Sequence, residues 1–363
     1  MRTIVIGDIH GCYAELLQLL AKVEITEDDY LVSLGDIVDR GADSVQVYDY
    51  LKNRPNTIVL MGNHERKHLR QTLSYSQEIV KLQFGDRYGE FLEWVSNLPY
   101  YYETESAILV HAGLENGVPI AQQREEVLCG CTAGEKHLQK RYGDTDWSEL
   151  YTGMKPVIFG HCVIGDRPLI IENKAYGIDT GACHGGKLTA LILPSFDIVQ
   201  VQSERDYWQE EIVKWQLPVM KAKPWNTYKW EKIQGICDEF RNSPNLELSD
   251  FIKQKEQWMQ DLLALAPQII SKVEEKLAEF ISVHGVDGFK KPVSSLCYAN
   301  LLYKANASHL TREFLQQTLP TPDKWLQVSS ELGIDTNTIR EAQKLETRYL
   351  QDTGFLAPQQ LRF

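Results

Sequence analysis

Five short polar motifs in the first half of the chain combine residue types that bind metals and phosphate. In chain order they are Gly7-Asp-Ile-His-Gly11, Gly35-Asp-Ile-Val-Asp-Arg-Gly41, Gly62-Asn-His-Glu65, His111-Ala-Gly113 and Gly160-His161. Carboxylate and carbonyl oxygens bind hard ions such as Mn²⁺, and imidazole also suits Fe and Zn. Two ions about 3.5–4 Å apart clamp a phosphoryl group, whose oxygens match the planar guanidinium of Arg40. One such motif is explained equally well by a turn or a helix cap, but all five together predict a two-metal centre that hydrolyses phosphate esters.

Each motif directly follows a segment with the pattern of a buried strand, and most are followed by a helical pattern. This recurring order is typical of an α/β fold, in which ligands bind beyond the carboxyl ends of the strands. Helical patterns cover 12–23, 44–52 and most of 64–97. The predicted strands are 3–7, 30–34, 57–61, 107–110, 157–159, 174–178, 188–193 and 197–201.

Composition and charge narrow the class of protein. The chain has 363 residues, 43% of them hydrophobic, and a net charge of −12. Residues 205–363 carry 21 acidic and 20 basic residues and are close to neutral, so nearly all of the net negative charge belongs to residues 1–204. An acidic first half is unlike a surface that binds nucleic acid. Two bound divalent cations would nevertheless make the electrostatic field positive at the site itself, so an anionic substrate is not excluded. Seven cysteines, no secretory leader and no apolar run long enough for a membrane span predict a cytoplasmic protein.

The sequence changes character after about residue 204. Residues 205–230 contain Trp208, Trp215, Trp225 and Trp230 and predict an aromatic linker. The remaining chain has helical periodicity over 231–241, 248–265, 268–283, 294–305, 310–318, 322–332 and 336–350. We therefore expect a catalytic domain over 1–204 and a mainly helical accessory domain over 205–363. The second domain serves either packing or dimerisation, or else substrate selection or partner binding.

The first three motifs resemble those of the calcineurin-like metallophosphoesterases, in the branch that contains the Ser/Thr protein phosphatases. The resemblance covers about residues 1–204 and implies a four-layer α-β-β-α sandwich. It also implies that Asp8 and His10 hold one metal and that Asp36 bridges to the second. Asn63, His111 and His161 would hold that second metal. The expected cofactor is a pair of divalent ions, Mn²⁺ first, with Fe, Zn or Ni as alternatives.

The same resemblance assigns the groups that act on the substrate. Arg40 would bind phosphate oxygens, together with Asn63 and His64. His64 would protonate or stabilise the leaving oxygen, and Asp39 would orient its ring. Asp179, in the Ile-Asp-Thr-Gly segment, is expected behind the metal ligands. His68, four residues after His64, is expected to be a solvated helix residue.

The substrate class stays open at this point. The motifs predict hydrolysis by a metal-bridging hydroxide, as in a phosphomonoesterase of the Ser/Thr phosphoprotein type. Residues 130–153 also resemble the phosphatase module of bacterial RNA-repair polynucleotide kinase-phosphatases, and the symmetrical diadenosine tetraphosphatases and lambda phosphatase. The alternatives are therefore a nucleotide or RNA-end phosphatase or phosphodiesterase, and a symmetrical dinucleoside tetraphosphatase. The expected substrate is therefore phosphorylated, and it is a protein, a nucleotide or an RNA end.

Overall fold

Two mixed β-sheets form the framework of the first part of the molecule. The computed structural model describes residues 2–337 and 339. The first sheet has the order β10-β9-β1-β2-β3, and the second has the order β4-β5-β6-β8-β7. The strands are β1 Thr3–Ile6, β2 Tyr30–Ser33, β3 Thr57–Val59, β4 Tyr101–Glu103, β5 Ile108–Val110, β6 Val157–Phe159, β7 Leu169–Ile171, β8 Ala175–Gly177, β9 Lys187–Leu193 and β10 Asp197–Gln202.

The predicted strands are all present, and β4 and β7 are additional. Both are short edge strands of the second sheet, each pairing with a single neighbour. Three residues are too few to show an alternating pattern in the sequence. Their pairing partners, rather than their own residues, therefore decide that they are strands.

Helices cover the outer faces of the two sheets. They are α1 Tyr13–Lys22, α2 Ser44–Asn53, α3 Asn63–Leu69, α4 Tyr75–Phe84, α5 Tyr88–Val95, α6 Glu125–Leu128, α7 Thr132–Tyr142, α8 Trp147–Leu150 and α9 Tyr207–Ala222. Residues such as Leu16, Tyr48 and Phe91 join α1, α2 and α5 in one buried cluster with the first sheet. Leu128 and Trp147 pack with the second sheet. Between the sheets lies a third apolar cluster, so the predicted four-layer α-β-β-α sandwich is confirmed.

Parallel pairing brings the motif loops to one edge of the sandwich. β1 pairs with β2 and β2 with β3, all parallel, and β6 lies parallel to both β5 and β8. The loops after β1 and β2 are also joined directly, since the backbone N–H of His10 donates to the carbonyl of Asp36 at 2.8 Å. The loops that carry the metal-binding residue types therefore lie together at the carboxyl ends of the strands.

The predicted linker over 205–230 is wrong over most of its length, because residues 207–222 form α9. Trp215 and Val219 of this helix pack with Ile79 of α4. The Tyr207 hydroxyl donates to Glu15 at 2.8 Å. Trp208 and Trp215, which the sequence placed in a linker, therefore lie on α9 and pack with this cluster, and the helix continues past Pro218.

The chain divides into two compact units inside α9, between Val219 and Met220. In the second unit the described elements are helical, as predicted. They are α10 Trp230–Phe240, α11 Leu246–Leu263, α12 Ala266–Gly288, α13 Lys290–Val293, α14 Ala299–Asn306, α15 Arg312–Thr318 and α16 Pro322–Glu331. The helix predicted over 336–350 falls almost wholly outside the described residues. Among the described helices, none is both long and apolar enough to cross a membrane.

Candidate metal centre

Asp36 lies at the centre of the predicted site, in the loop after β2. Its carboxylate belongs to two groups of potential metal donors, His10–Asp36–His64 and Asp36–His111–His161. Within each group the donor atoms lie within 4.8 Å of one another. Asp36 Oδ2 is 3.6 Å from His10 Nε2, and Oδ1 is 3.5 Å from His111 Nε2. One carboxylate shared by two donor groups is the arrangement that a two-metal site requires.

His10 and His111 both direct Nε2, the ring nitrogen that is free to bind a metal, towards the Asp36 carboxylate. Nδ1 of His10 donates to the carbonyl of Val38 at 2.8 Å, and Nδ1 of His111 donates to that of Leu34 at 3.0 Å. A carbonyl only accepts, so each Nε2 keeps its lone pair. Burial lowers the pKa of His10, and it lowers the pKa of His111 to about 4. Both imidazoles are therefore neutral near pH 7, the state in which histidine binds a metal.

His161 is oriented by a residue that the sequence did not single out. Its Nε2 lies 3.1 Å from Oε1 of Glu135, at the start of α7. A carboxylate partner makes Nε2 the protonated nitrogen and leaves Nδ1 as the ligand atom. Asn63 lies close to the same donor group, with Oδ1 3.1 Å from His111 Nε2. Nothing in the spacing between Glu135 and His161 indicates this contact, since it depends on how α7 packs.

Asp8 lies beside the centre but outside both donor groups. Its Oδ1 accepts from the backbone N–H of His161 at 3.0 Å. Burial, with Asp179 and Asp36 nearby, raises the pKa of Asp8 well above its usual range. Burial also raises the pKa of Asp179 to about 6, and Asp36 adds to the effect. Burial and the Asp36 charge thus oppose the ionisation of Asp8 and Asp179, and three buried carboxyl groups next to neutral imidazoles fit a bound divalent cation.

Arg40 and His64 face the same space. Arg40 Nη1 is 3.0 Å from His10 Nε2, and Nη2 is 3.1 Å from His64 Nε2. The other ring nitrogen of His64 donates to Oδ2 of Asp39 at 2.5 Å. The carboxylate of Asp39 thus contacts one ring nitrogen of His64, and the guanidinium lies beside the other.

His68 is not the solvated helix residue that the sequence predicted. It is fully buried; its Nε2 donates to Oδ1 of Asp39 at 3.0 Å, and its Nδ1 accepts from the Tyr88 hydroxyl at 2.9 Å. The amide of Gln77 donates to the other oxygen of Asp39. The i, i+4 spacing of His64 and His68 was the available signal, because it puts both on one face of α3.

Glu65 fixes the second motif against the third. It is buried and accepts from the backbone N–H groups of Asp36 at 2.8 Å, Ile37 at 2.9 Å and Gly62 at 3.2 Å. Burial raises the pKa of Glu65 to about 8, with the Asp36 charge contributing. A Cβ at Gly62 would stand 2.1 Å from Oδ1 of Asp36, so only glycine fits there. These contacts around Asp36 explain the spacing of glycine and glutamate in Gly-Asn-His-Glu.

Comparison with known proteins agrees with this geometry. Residues 1–179 match the calcineurin-like phosphoesterase family. The asymmetrical bis(5′-nucleosyl)-tetraphosphatase PrpE of Bacillus velezensis is 30% identical over 234 residues, which cover 56% of this chain and 93% of that protein. The chain belongs to the calcineurin-like phosphoesterase family. It is therefore a phosphoric ester hydrolase, and its family uses divalent metals.

Two further proteins are similar to this chain over a comparable share of its length. PrpE of Bacillus mycoides is 29% identical over 248 residues, covering 58% of this chain and 98% of that protein. A solved structure provisionally assigned as a diadenosine tetraphosphatase is 27% identical with a TM-score of 0.47, covering 56% of this chain and 93% of that one. These matches leave more than 40% of the chain without a counterpart in the relatives described.

Proposed function

We propose that this calcineurin-like phosphoesterase hydrolyses its substrate at a two-metal centre built around Asp36. The observation that carries the proposal is the sharing of the Asp36 carboxylate between two donor groups. Two divalent ions there would polarise the phosphoryl group and supply an activated water. His10, His111 and His161 would hold them together with Asp8 and Asn63, and Asp179 supports this set from behind. Mn²⁺ is the proposed ion, with Fe, Zn or Ni as alternatives.

The remaining site residues act on the substrate. Arg40 supplies a fixed positive charge with two N–H groups aimed into the centre, where it binds phosphate oxygens with Asn63. His64, once protonated on both ring nitrogens, delivers the Nε2 proton to the leaving oxygen and keeps the Nδ1 proton. Asp39 accepts from Nδ1 of His64, and this contact sets the orientation of the ring.

Dinucleoside polyphosphates are the substrate class we propose first. Relatives that this chain matches over nearly their whole length are named as asymmetrical bis(5′-nucleosyl)-tetraphosphatases. Phosphoproteins are the second candidate, because the first three motifs resemble those of the Ser/Thr protein phosphatases. Both substrates place a phosphoryl oxygen between the same two donor groups and differ only in what surrounds it.

The decisive experiment measures hydrolysis by the intact chain with Mn²⁺ added after chelation. The substrates are p-nitrophenyl phosphate, diadenosine tetraphosphate, a phosphoserine peptide and a 2′,3′-cyclic nucleotide. We expect turnover of the aryl phosphate and the highest kcat/KM on diadenosine tetraphosphate. Higher kcat/KM on the peptide would replace the first candidate by the second, and turnover of the cyclic diester at a comparable rate would make the enzyme a phosphodiesterase.

A matched variant tests the metal centre itself. Asp36→Asn keeps the size of the side chain but removes the charge shared by the two donor groups. We expect loss of activity on every substrate together with loss of bound metal, measured by elemental analysis. Full metal content with full activity would contradict the two-metal proposal.

We further propose that residues 1–204 are catalytic and that 205–363 form an accessory domain for substrate selection or for a partner or second copy. A test by truncation must retain α9, because this helix belongs to the first unit up to Val219 and its Tyr207 hydroxyl donates to Glu15. A preference for one substrate that persists in the truncated chain would assign specificity to the metal-site loops.

All seven cysteines are free thiols, which supports the proposal of a cytoplasmic location.

A further inference from the structure

A cavity of about 270 Å³ lies next to His161 in the first unit. It is formed by α7, by the loop 143–146 and by the start of α8, and His161 is part of its lining. Its volume is close to the lower end for ligand pockets, roughly 300 to 1,000 Å³. Apart from His161 and Glu135, its lining residues have no part in the proposed reaction.

One wall of the cavity is apolar and contains an immobilised aromatic ring. Leu138 and Trp147 form this wall. The Trp147 ring packs edge-on against Phe159 with centroids 5.0 Å apart. A Cβ at Gly113 would stand 2.8 Å from Nε1 of Trp147, so the glycine of the fourth motif allows the ring this close to the backbone. A fixed aromatic edge beside a leucine is suited to contact with a flat heterocyclic ring.

The lining of the cavity also offers two uncommitted polar groups. Asp144 and Gln139 line the cavity and are exposed, and within residues 2–337 neither side chain has a hydrogen-bond or ion-pair partner. The other acids are engaged: Asp146 accepts from the backbone N–H of Ser148 at 2.8 Å, and Glu135 holds His161. A carboxylate recognises the hydroxyls of a ribose in dinucleotide-binding folds, and an amide both donates to and accepts from a base edge.

The charge of the cavity disfavours the phosphate chain there. Glu135, Asp144 and Asp146 give it acidic character, and these exposed carboxylates repel an anion that lies beside them. A neutral ring and sugar meet no such repulsion. We infer that this cavity binds a nucleoside of the substrate, with the base against Leu138 and Trp147 and the ribose hydroxyls on Asp144. The inference rests on the proposed hydrolysis at the neighbouring metal centre.

Two substitutions at exposed positions test the nucleoside subsite without disturbing the core. In Asp144→Ala and Gln139→Ala the KM for diadenosine tetraphosphate should rise roughly 10-fold or more, because a hydrogen bond to a charged or polar group is lost. The kcat/KM for p-nitrophenyl phosphate, which has no nucleoside, should stay within about 2-fold of wild type, well below that loss. Asp28→Ala is the matched control, since Asp28 is an exposed carboxylate just before β2 and does not line the cavity.

The outcomes separate this inference from the function on which it rests. Absence of aryl phosphate hydrolysis in the wild-type chain would contradict the proposed function itself. Normal aryl phosphate hydrolysis with an unchanged KM for diadenosine tetraphosphate in both variants would overturn the subsite alone. A rise in KM for a phosphopeptide with a basic residue, and not for the dinucleotide, would also overturn it, because the acids would then bind a cationic side chain.

Discussion

His64 is held between Asp39 and Arg40, and its predicted role depends on that position. Replacing it by alanine removes a proton donor, so we expect turnover to fall by about 10²–10⁴-fold. The loss should be smaller for p-nitrophenyl phosphate than for an alkyl phosphate, because an acidic leaving group needs less protonation. Steady-state kinetics on both esters, with metal content measured in parallel, check this.

The outcome for His64→Ala also distinguishes two roles for the ring. His64 Nε2 lies 3.9 Å from Oδ2 of Asp36 and belongs to one donor group. A loss of bound metal would make it a ligand, and an equal loss of turnover on both esters would argue against the proton-donor role.

His68 donates a hydrogen bond to Asp39, the carboxylate that also contacts His64. In His68→Phe, Asp39 loses the buried Nε2 donor that lies 3.0 Å from it in the native protein, and outer partners of this kind typically affect activity by 10- to 100-fold. We expect kcat to fall roughly 10-fold with metal content unchanged, and to fall more for an alkyl than for a nitrophenyl leaving group. Tyr88→Phe, which removes only the hydroxyl on the far side of His68, should have a smaller effect. Equal loss on both leaving groups would show that His68 only stabilises the fold.

Among the connecting elements, the loop before α7 positions His161 through Gly130. Gly130 has φ +65°, and a Cβ there would stand 2.8 Å from Nε2 of His161 and 2.6 Å from the Ala112 side chain. Gly130→Ala should therefore displace His161, lowering metal content and aryl phosphate turnover. Gly143→Ala is the control, because Gly143 has the same φ but no atom within 4 Å of the added Cβ. A similar loss in both variants would assign the effect to backbone strain, about 1–2 kcal/mol per residue.

An ion pair joins the starts of β1 and β2, far from the metal ligands. Arg2 donates to Asp29 at 3.2 and 2.7 Å, and the pair holds the pKa of Asp29 well below its usual range. A depressed carboxyl pKa stabilises the fold above the unfolded-state value of about 3.9 and loses this effect as the pH falls below it. Asp29→Asn should cost about 1 kcal/mol at pH 7, since Arg2 is partly exposed. Urea denaturation should show this difference shrinking between pH 4.5 and pH 3, values that bracket that pKa; a constant difference would contradict it.

For the whole molecule, the metal centre should also govern stability. Buried carboxyl groups of Asp8, Asp36 and Asp179 oppose one another, so the folded state gains from cations that the unfolded chain does not bind. Mn²⁺ at 100 times its Kd should add about 2.7 kcal/mol. We expect chelation to lower the Tm in thermal denaturation, and Asp36→Asn to abolish most of that difference. Equal Tm values with and without chelator would show that these residues do not hold a metal.

The sequence by itself determined the α/β fold, the order of the motifs and the family. Asp8, His10, Asp36, Asn63 and His111 follow strands whose apolar patterns are local and easily read. Only the tertiary structure decided the partners of these residues. Gln77 and Glu135 act through contacts between helices and loops distant in sequence, which no spacing encodes. The spacing of His64 and His68 indicated a shared helix face, but not the contact of His68 with Asp39. The helix α9 was missed for the same reason, because its tryptophans pack against Ile79, which is distant in sequence.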